Sequence, residues 1–349
     1  MSLALYVGVQ SGSHLYLPHM GYVRCLRRFG WTVDELSAAH ATEMHLGNYD
    51  LIIWNGMCPE TVLRSIRPQS QTLVLMNGAG DNLSHYGKYA DRIAVATSSL
   101  AYFDEMRTPL GWRHLNPRRA LSRQYFHTLR HARYFHRFAS PRFWRALGIP
   151  LLYLPFAADP EIFHPTGVTP DLVWSFVGHI RARVLVHQLM KESDRRGWAY
   201  EVHSPQTGNP LEPLALNDLY NRSMIGFNEQ HQMHFGRELN ERTFDLGMAG
   251  RLQISDMGWL AAQETGRFAR FYNGNVGAAR DLGYILRLLS NRDLPDPAAV
   301  HAHFSRHHSF VARLAVLSAA LGQDLSLGKM DLSHGQVAYD GVIHTPAVI

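Results

Sequence analysis

The feature that most constrains this chain is a rhythm in which short, unbroken apolar runs alternate with helical stretches. LALYVGV (3–9) ends in the loop QSGSH, and YDLIIWNG (49–56) ends in Asn-Gly. TLVLMNGAGD (72–81) opens into a glycine loop, and RIAVATSS (92–99) closes on serines. Runs of this length without polar alternation are strands buried on both faces, and helices between them cover those faces. The result is a parallel sheet. The spacing predicts helices over 21–29, stopped by Gly30, and over 60–66, with WTVDEL as a further strand.

LLYLPFAADP (151–160) is one more strand, and the rhythm then restarts. Strands are expected at 172–178, 198–204, 223–228, 252–254 and 269–274. Helices are expected at 183–196, 217–222, within 240–250, at 278–290 and, as a single element, over 297–321. A chain of 349 residues exceeds one ordinary core, so two domains are expected. Their ranges are 1–165 and 166–325, followed by a weakly periodic tail, 326–349, that packs back on the first domain. The fold class is α/β: two doubly wound Rossmann-like domains facing a cleft, with ligands at the carboxyl ends of the strands.

Composition narrows the function classes. With 46% hydrophobic and 18% charged residues the chain is globular. It has no apolar run of the roughly 18 residues that span a bilayer. MSLALYVGVQ lacks a basic n-region and reads as a strand instead of a signal peptide. Cys25 and Cys58, far apart in apolar surroundings, are expected to be reduced core residues of a cytoplasmic protein.

The net charge of +5 is concentrated in one place. Residues 107–145 hold ten arginines and no acidic residue, which leaves the remainder of the chain at −5. Eight aromatics and four histidines are interleaved with them, a mixture suited to phosphate backbones, stacked bases, phosphorylated head groups or acidic glycans. Arg118, Arg119 and Arg123 are the candidates there for gripping a polyanionic acceptor, and DNA is one such polyanion. A helical hairpin with inward aromatics and solvated arginines has the same composition.

Gly8 and Gly12 do not make G-x-G-x-x-G, which removes most support for a dinucleotide oxidoreductase. Walker A, H-E-x-x-H and G-x-S-x-G patterns are absent as well. The 21 histidines form no familiar ligand set with cysteine or carboxylate, so no metal is expected. FVGHIRAR (176–183) carries more: a glycine at a strand end admits a ligand to the backbone, and a helix N-terminus follows. Arg181 or Arg183 adds a charge-assisted contact to a phosphate. In GRELNERTFDLGMAG (236–250), a buried-looking helix begins among Arg237, Glu238, Glu241, Arg242 and Asp245. Such a crowd suits either a solvated surface or a helix start that holds an anion and a sugar ring.

Taken in order, LPFAADPEIFHP (154–165), FVGHIR (176–181), LYNRSMIGFN (219–228) and NERTFDLGMAG (240–250) resemble the second domain of GT-B glycosyltransferases, in particular the CgeB-like group. The layout is also similar to that of the DNA β-glucosyltransferases of T-even phages. The resemblance covers roughly residues 150–320 in motif and the whole chain in architecture. It implies transfer of a sugar from a nucleoside diphosphate sugar, most simply a UDP-sugar, with no bound metal or resident cofactor. The acceptor hydroxyl would lie on a glycan, a protein or a metabolite. The alternatives are a hydroxymethylated DNA base as acceptor, or a non-catalytic nucleotide-sugar binder.

Carried onto this sequence, the resemblance makes Arg181 and Arg242 diphosphate ligands and puts Asp245 in place of the glutamate that accepts the ribose hydroxyls. Gly178, His179, Arg183, Glu238 and Asn240 complete the implied donor site. The departures are the shorter Asp245 and the E-x7-E pattern, whose first glutamate falls at Arg237 with Glu238 one place late. Asp81, in the loop NGAGD, stands where related inverting enzymes keep a general base; an aspartate capping the next helix reads the same way. His14 and His19, after the first strand, are candidates for contacting the sugar or acceptor.

Overall fold

The structure is a computed structural model that describes residues 2–8, 20–37, 40, 46–55, 58–66, 72–76, 88–90, 93–97, 146, 148–149, 151–180, 183–204, 211–229, 239–256, 265–272, 278–291 and 294–321. His14, His19, Asp81, Arg118, Arg119, Arg123, Arg181 and Glu238 lie outside them, as do the whole basic segment 107–145 and the tail 326–349. The chain divides into two compact units, one built from Met1–Pro155 and the chain from Phe310, the other from Phe156–Ser309.

In the first unit the described strands are β1 (Leu3–Val7), β2 (Thr32–Leu36), β3 (Leu51–Asn55), β4 (Thr72–Met76), β5 (Ile93–Thr97) and β6 (Leu151–Tyr153). They pair in the order β2-β1-β3-β4-β5-β6, and every pairing is parallel. Helices α1 (Met20–Arg28) and α2 (Glu60–Ser65) join them, close to the expected spans. The core gathers Leu5, Val7, Ile52, Trp54, Leu63 and Ile149, and Cys58 lies inside it. Cys25 and Cys58 are buried thiols that are not in a disulfide, and burial pushes the Cys58 thiol up, which disfavours the reactive thiolate.

The second unit repeats the plan. Strands β7 (Leu172–Val177), β8 (Tyr200–His203), β9 (Ser223–Asn228), β10 (Leu252–Asp256) and β11 (Ala269–Tyr272) pair in parallel in the order β11-β10-β9-β7-β8. The described helices are α3 (Val184–Arg196), α4 (Pro213–Arg222), α5 (Glu241–Met248), α6 (Ala278–Asn291) and α7 (Pro297–His308). Trp174, Phe176, Val186, Leu189, Phe227, Ile254 and Ile285 form the core. Helix α3 ends on Gly197, left-handed at φ 64°, a conformation that costs a residue with a Cβ about 1 kcal/mol. Gly197→Ala is therefore expected to lower stability by about that amount in urea unfolding.

Three boundaries differ from the sequence-based expectation, each for a reason visible in the contacts. Helix α4 starts at Pro213, four residues before the expected 217, because proline is favoured in the first turn, where no intrahelical N–H is needed. The division at 155 precedes the expected 165 because the intervening segment is bound into the second unit. His164 N–H donates to Asn217 Oδ1 (3.1 Å), Thr166 N–H donates to Asn221 Oδ1 (2.9 Å), and Phe163 lies 6.2 Å from the Tyr220 ring. The expected helix 297–321 is two helices, α7 and α8 (Phe310–Leu321), broken at Ser309. Ser309 is extended and bridges Ala158, whose N–H donates to the carbonyl of His308 at 3.0 Å. Helix α8 returns to the first unit, where Phe310 meets Tyr22 edge-on at 5.0 Å and Arg313 Nε donates to Pro155 O at 2.8 Å.

Candidate functional site

A doubly wound sheet binds its ligands where neighbouring strands connect outward in opposite directions. In the second unit β7 runs through α3 to β8 on one side, and the chain then crosses back through α4 to β9 on the other. The switch point therefore lies between the carboxyl ends of β7 and β9. Gly178 follows the first of these strands, Asn228 ends the second, and the start of α5 comes after a further loop.

Gly178 is held in the sheet by its N–H to His203 O (2.9 Å), at φ 144°, a backbone region that L side chains avoid. A Cβ on it would collide with Nη2 of Arg242, so the guanidinium lies directly against the glycine backbone. Arg242 Cζ stands 4.7 Å over the Phe176 ring, and its Nη1 donates to Asn228 Oδ1 at 2.9 Å. Aromatic face, neutral amide and bare backbone together set the plane of the fork.

Asn240 is the N-cap of α5, its Oδ1 accepting from Thr243 N (3.2 Å) and Thr243 Oγ1 (3.1 Å). It also pairs amide to amide with Asn228: Asn228 Nδ2 donates to Asn240 Oδ1 (3.0 Å), and Asn240 Nδ2 donates to Asn228 Oδ1 (2.9 Å). The structure thus commits the Asn240 carboxamide to capping and bracing. Glu241 in the first turn complements the helix dipole, which accounts for one of the charges crowded at this helix start. At the other end, His301 of α7 bonds Met248 O (2.6 Å) and Ser305 Oγ (3.1 Å), while Phe304 packs on Gly247. Helix α5 is fixed at both ends.

Asp245, one turn after Arg242, is 4% exposed, and its Oδ1 has no hydrogen-bond partner among the described residues. Burial raises its carboxyl well above the usual range; the Glu241 charge adds to this and Arg242 opposes it. The buried Tyr220 hydroxyl is raised by burial and then by Asp245, again against Arg242.

Around Gly178 the loop is arranged differently from the expectation of free arginines and N–H groups. His179 is exposed and its carbonyl accepts Arg183 Nε at 3.2 Å; Arg183 is 7% exposed and folded back on the loop. At the start of α3, Val186 N–H already donates to the buried Glu229 carboxylate (3.1 Å). One helix N–H that sequence reasoning offered to a phosphate is therefore taken by a side chain of the chain itself.

The structure brings Gly178, Asn240 and Arg242 together, with Asp245 buried one turn along the helix from Arg242 and Arg183 folded onto its own loop. Asn228, Phe176 and Glu229 join the site without having been singled out. A polar residue closing an apolar strand, as Asn228 closes SMIGFN, is the signal that was available in the sequence. Among the described residues no group of three or more His, Cys, Asp and Glu side chains could hold a metal ion. No helix among them is long and apolar enough to cross a membrane.

No protein-family model matches the chain, and no curated protein matches it in sequence. Among solved structures, an α1,3-fucosyltransferase covers 93% of the chain and 92% of its own at 12% identity, with a TM-score of 0.37. The sucrose-phosphate synthase of Thermosynechococcus elongatus aligns over 92% of this chain and 98% of its own, at 10% identity and a TM-score of 0.51. The chain thus has parallel α/β sheets arranged in a fold similar to that of a structure titled as a sucrose-phosphate synthase.

Proposed function

We propose that the chain is a glycosyltransferase of the GT-B kind that takes its sugar from a nucleoside diphosphate sugar, most simply a UDP-sugar. The observation that carries this reading is the guanidinium of Arg242, held against the backbone of Gly178 at the switch point of the second sheet. A planar fork at a strand end is a seat for phosphate oxygens. Placed on the diphosphate, it stabilises the negative charge that develops as the sugar leaves. The leaving group belongs to the donor, so the reaction as proposed needs no resident cofactor. Fold similarity to a sucrose-phosphate synthase supports the reading.

On the acceptor side the proposal keeps the assignments drawn from the sequence. Asp81 accepts the proton of the acceptor hydroxyl, and His14 and His19 stand near it in role. Arg118, Arg119 and Arg123 bind an acidic acceptor. On the donor side, Asp245 is assigned to the ribose and Arg181 to the diphosphate beside Arg242.

A thermal-shift screen against UDP, GDP, TDP, ADP and CMP tests the reading. A ligand that binds only the folded state raises its stability, by about 2.7 kcal/mol at a hundredfold excess over Kd. One nucleoside diphosphate is expected to shift the midpoint well beyond CMP, and the matching nucleotide sugar is expected to release that diphosphate on incubation. No shift with any of the diphosphates removes the proposal.

A further inference from the structure

We infer that Asn228 is a positioning residue: its side-chain amide orients Arg242 for an anionic ligand without neutralising it. Asn228 is fully buried at the last position of β9. Its backbone is set by register with Ser255 of β10, whose hydroxyl donates to Asn228 O at 3.1 Å. Every hydrogen-bonding site of its carboxamide is occupied. Nδ2 donates to Asn240 Oδ1 and to Thr243 Oγ1, each at 3.0 Å, and Oδ1 accepts from Asn240 Nδ2 and Arg242 Nη1, each at 2.9 Å.

This pattern allows one orientation of the amide. A flip would set its N–H groups against the N–H groups of Arg242 and Asn240, with nothing to accept them. The oxygen therefore always faces Nη1, and with the Phe176 ring under the guanidinium and Gly178 beside Nη2 the fork has a single seat. The neutrality of the acceptor is the functional point. A carboxylate here would bind Nη1 more strongly, but it would offset the guanidinium charge that a diphosphate requires. It would also lose both donations to Asn240 and Thr243. The amide is thus the side chain that aims the arginine and leaves its charge in place.

The inference rests on the proposed diphosphate site for its ligand, and the test separates the two. Calorimetry at pH 7.5 compares wild type with Asn228→Asp for two pairs, UDP with uridine and GDP with guanosine. The expected result is a loss of tenfold or more in affinity for the diphosphate that wild type binds, with its nucleoside bound as before. Equal losses for diphosphate and nucleoside, or unchanged diphosphate affinity, overturn it. Should Asn228→Asp not fold, Asn228→Ser takes its place with the same criteria. If wild type binds neither, TDP with thymidine and ADP with adenosine are compared in the same way; if it binds none of the four, the donor reading fails, and Asn228 is judged from a crystal structure of Asn228→Ser. A guanidinium that has left Phe176 and Gly178 upholds the positioning role, and one that stays in its seat overturns it.

Discussion

Arg242→Ala is expected to weaken nucleoside diphosphate binding by about 1.5–3 kcal/mol, the range for hydrogen bonds to charged groups. That is roughly a 10- to 150-fold rise in Kd in calorimetry. The fold should survive, because the Asn228–Asn240 amide pair and the Asn240 cap do not depend on the guanidinium. Arg242→Lys should recover only part of the loss: it restores the charge but neither the fork nor the flat contact with Phe176. Gly178→Ala reaches the same guanidinium without removing a charge. Its methyl occupies the position of Nη2, and φ 144° strains any residue with a Cβ, by about 1–3 kcal/mol. It should weaken diphosphate binding alongside a lower melting temperature. Unchanged affinity in Arg242→Ala, with the fold intact, would sink the donor site.

The second large effect concerns Asp245. The folded protein holds this carboxyl buried, with its pKa raised by burial and by Glu241, while the unfolded chain titrates it near 3.8. The folded state therefore binds the proton more tightly. The stabilising contribution is complete below pH 3.8 and is lost as the pH rises through the folded value. Above the folded value the wild type carries a buried, poorly compensated charge that Asp245→Asn removes. The variant is expected to be more stable there by about 1–3 kcal/mol, the usual scale for an unsatisfied buried group. Urea midpoints of the two proteins, measured from pH 4 to 8, should converge on the acid side. Parallel curves would show that Asp245 is not the origin of the effect. A chain keeps a destabilising carboxyl most readily where function uses it. The same variant should therefore bind the nucleoside portion of the donor more weakly if Asp245 serves the ribose.

Much of the backbone was legible because it is governed by local burial. Continuous apolar runs such as LIIWN and SMIGFN can only be strands covered on both faces, and β3 and β9 fall on them. Gly30 and Gly197 mark helix ends through their left-handed φ values. The helix 297–321 was misread because PAAVHAHFSRHHSFVARLAVLSAAL holds no glycine or proline after its first residue. Nothing local ends it. The break at Ser309 comes from a bridge to Ala158, about 150 residues away in the chain.

The candidate site divides along the same line. From the sequence alone came the parallel α/β class, the strand that ends at Gly178, and the helix that starts with Asn240 and carries Arg242. All of these depend on neighbours within a turn or a strand. Tertiary structure decided what those residues touch. Strand order β9-β7 sets Asn228 and Gly178 on adjacent strand ends, although 50 positions separate them. It lays Arg242 across both and uses Val186 N–H to hold Glu229. It also turns Arg183 back onto its loop and buries Asp245 beside Tyr220. Periodicity reports which face of an element is buried; which partner a polar side chain meets there is set by the order of the strands, and no local pattern encodes that order.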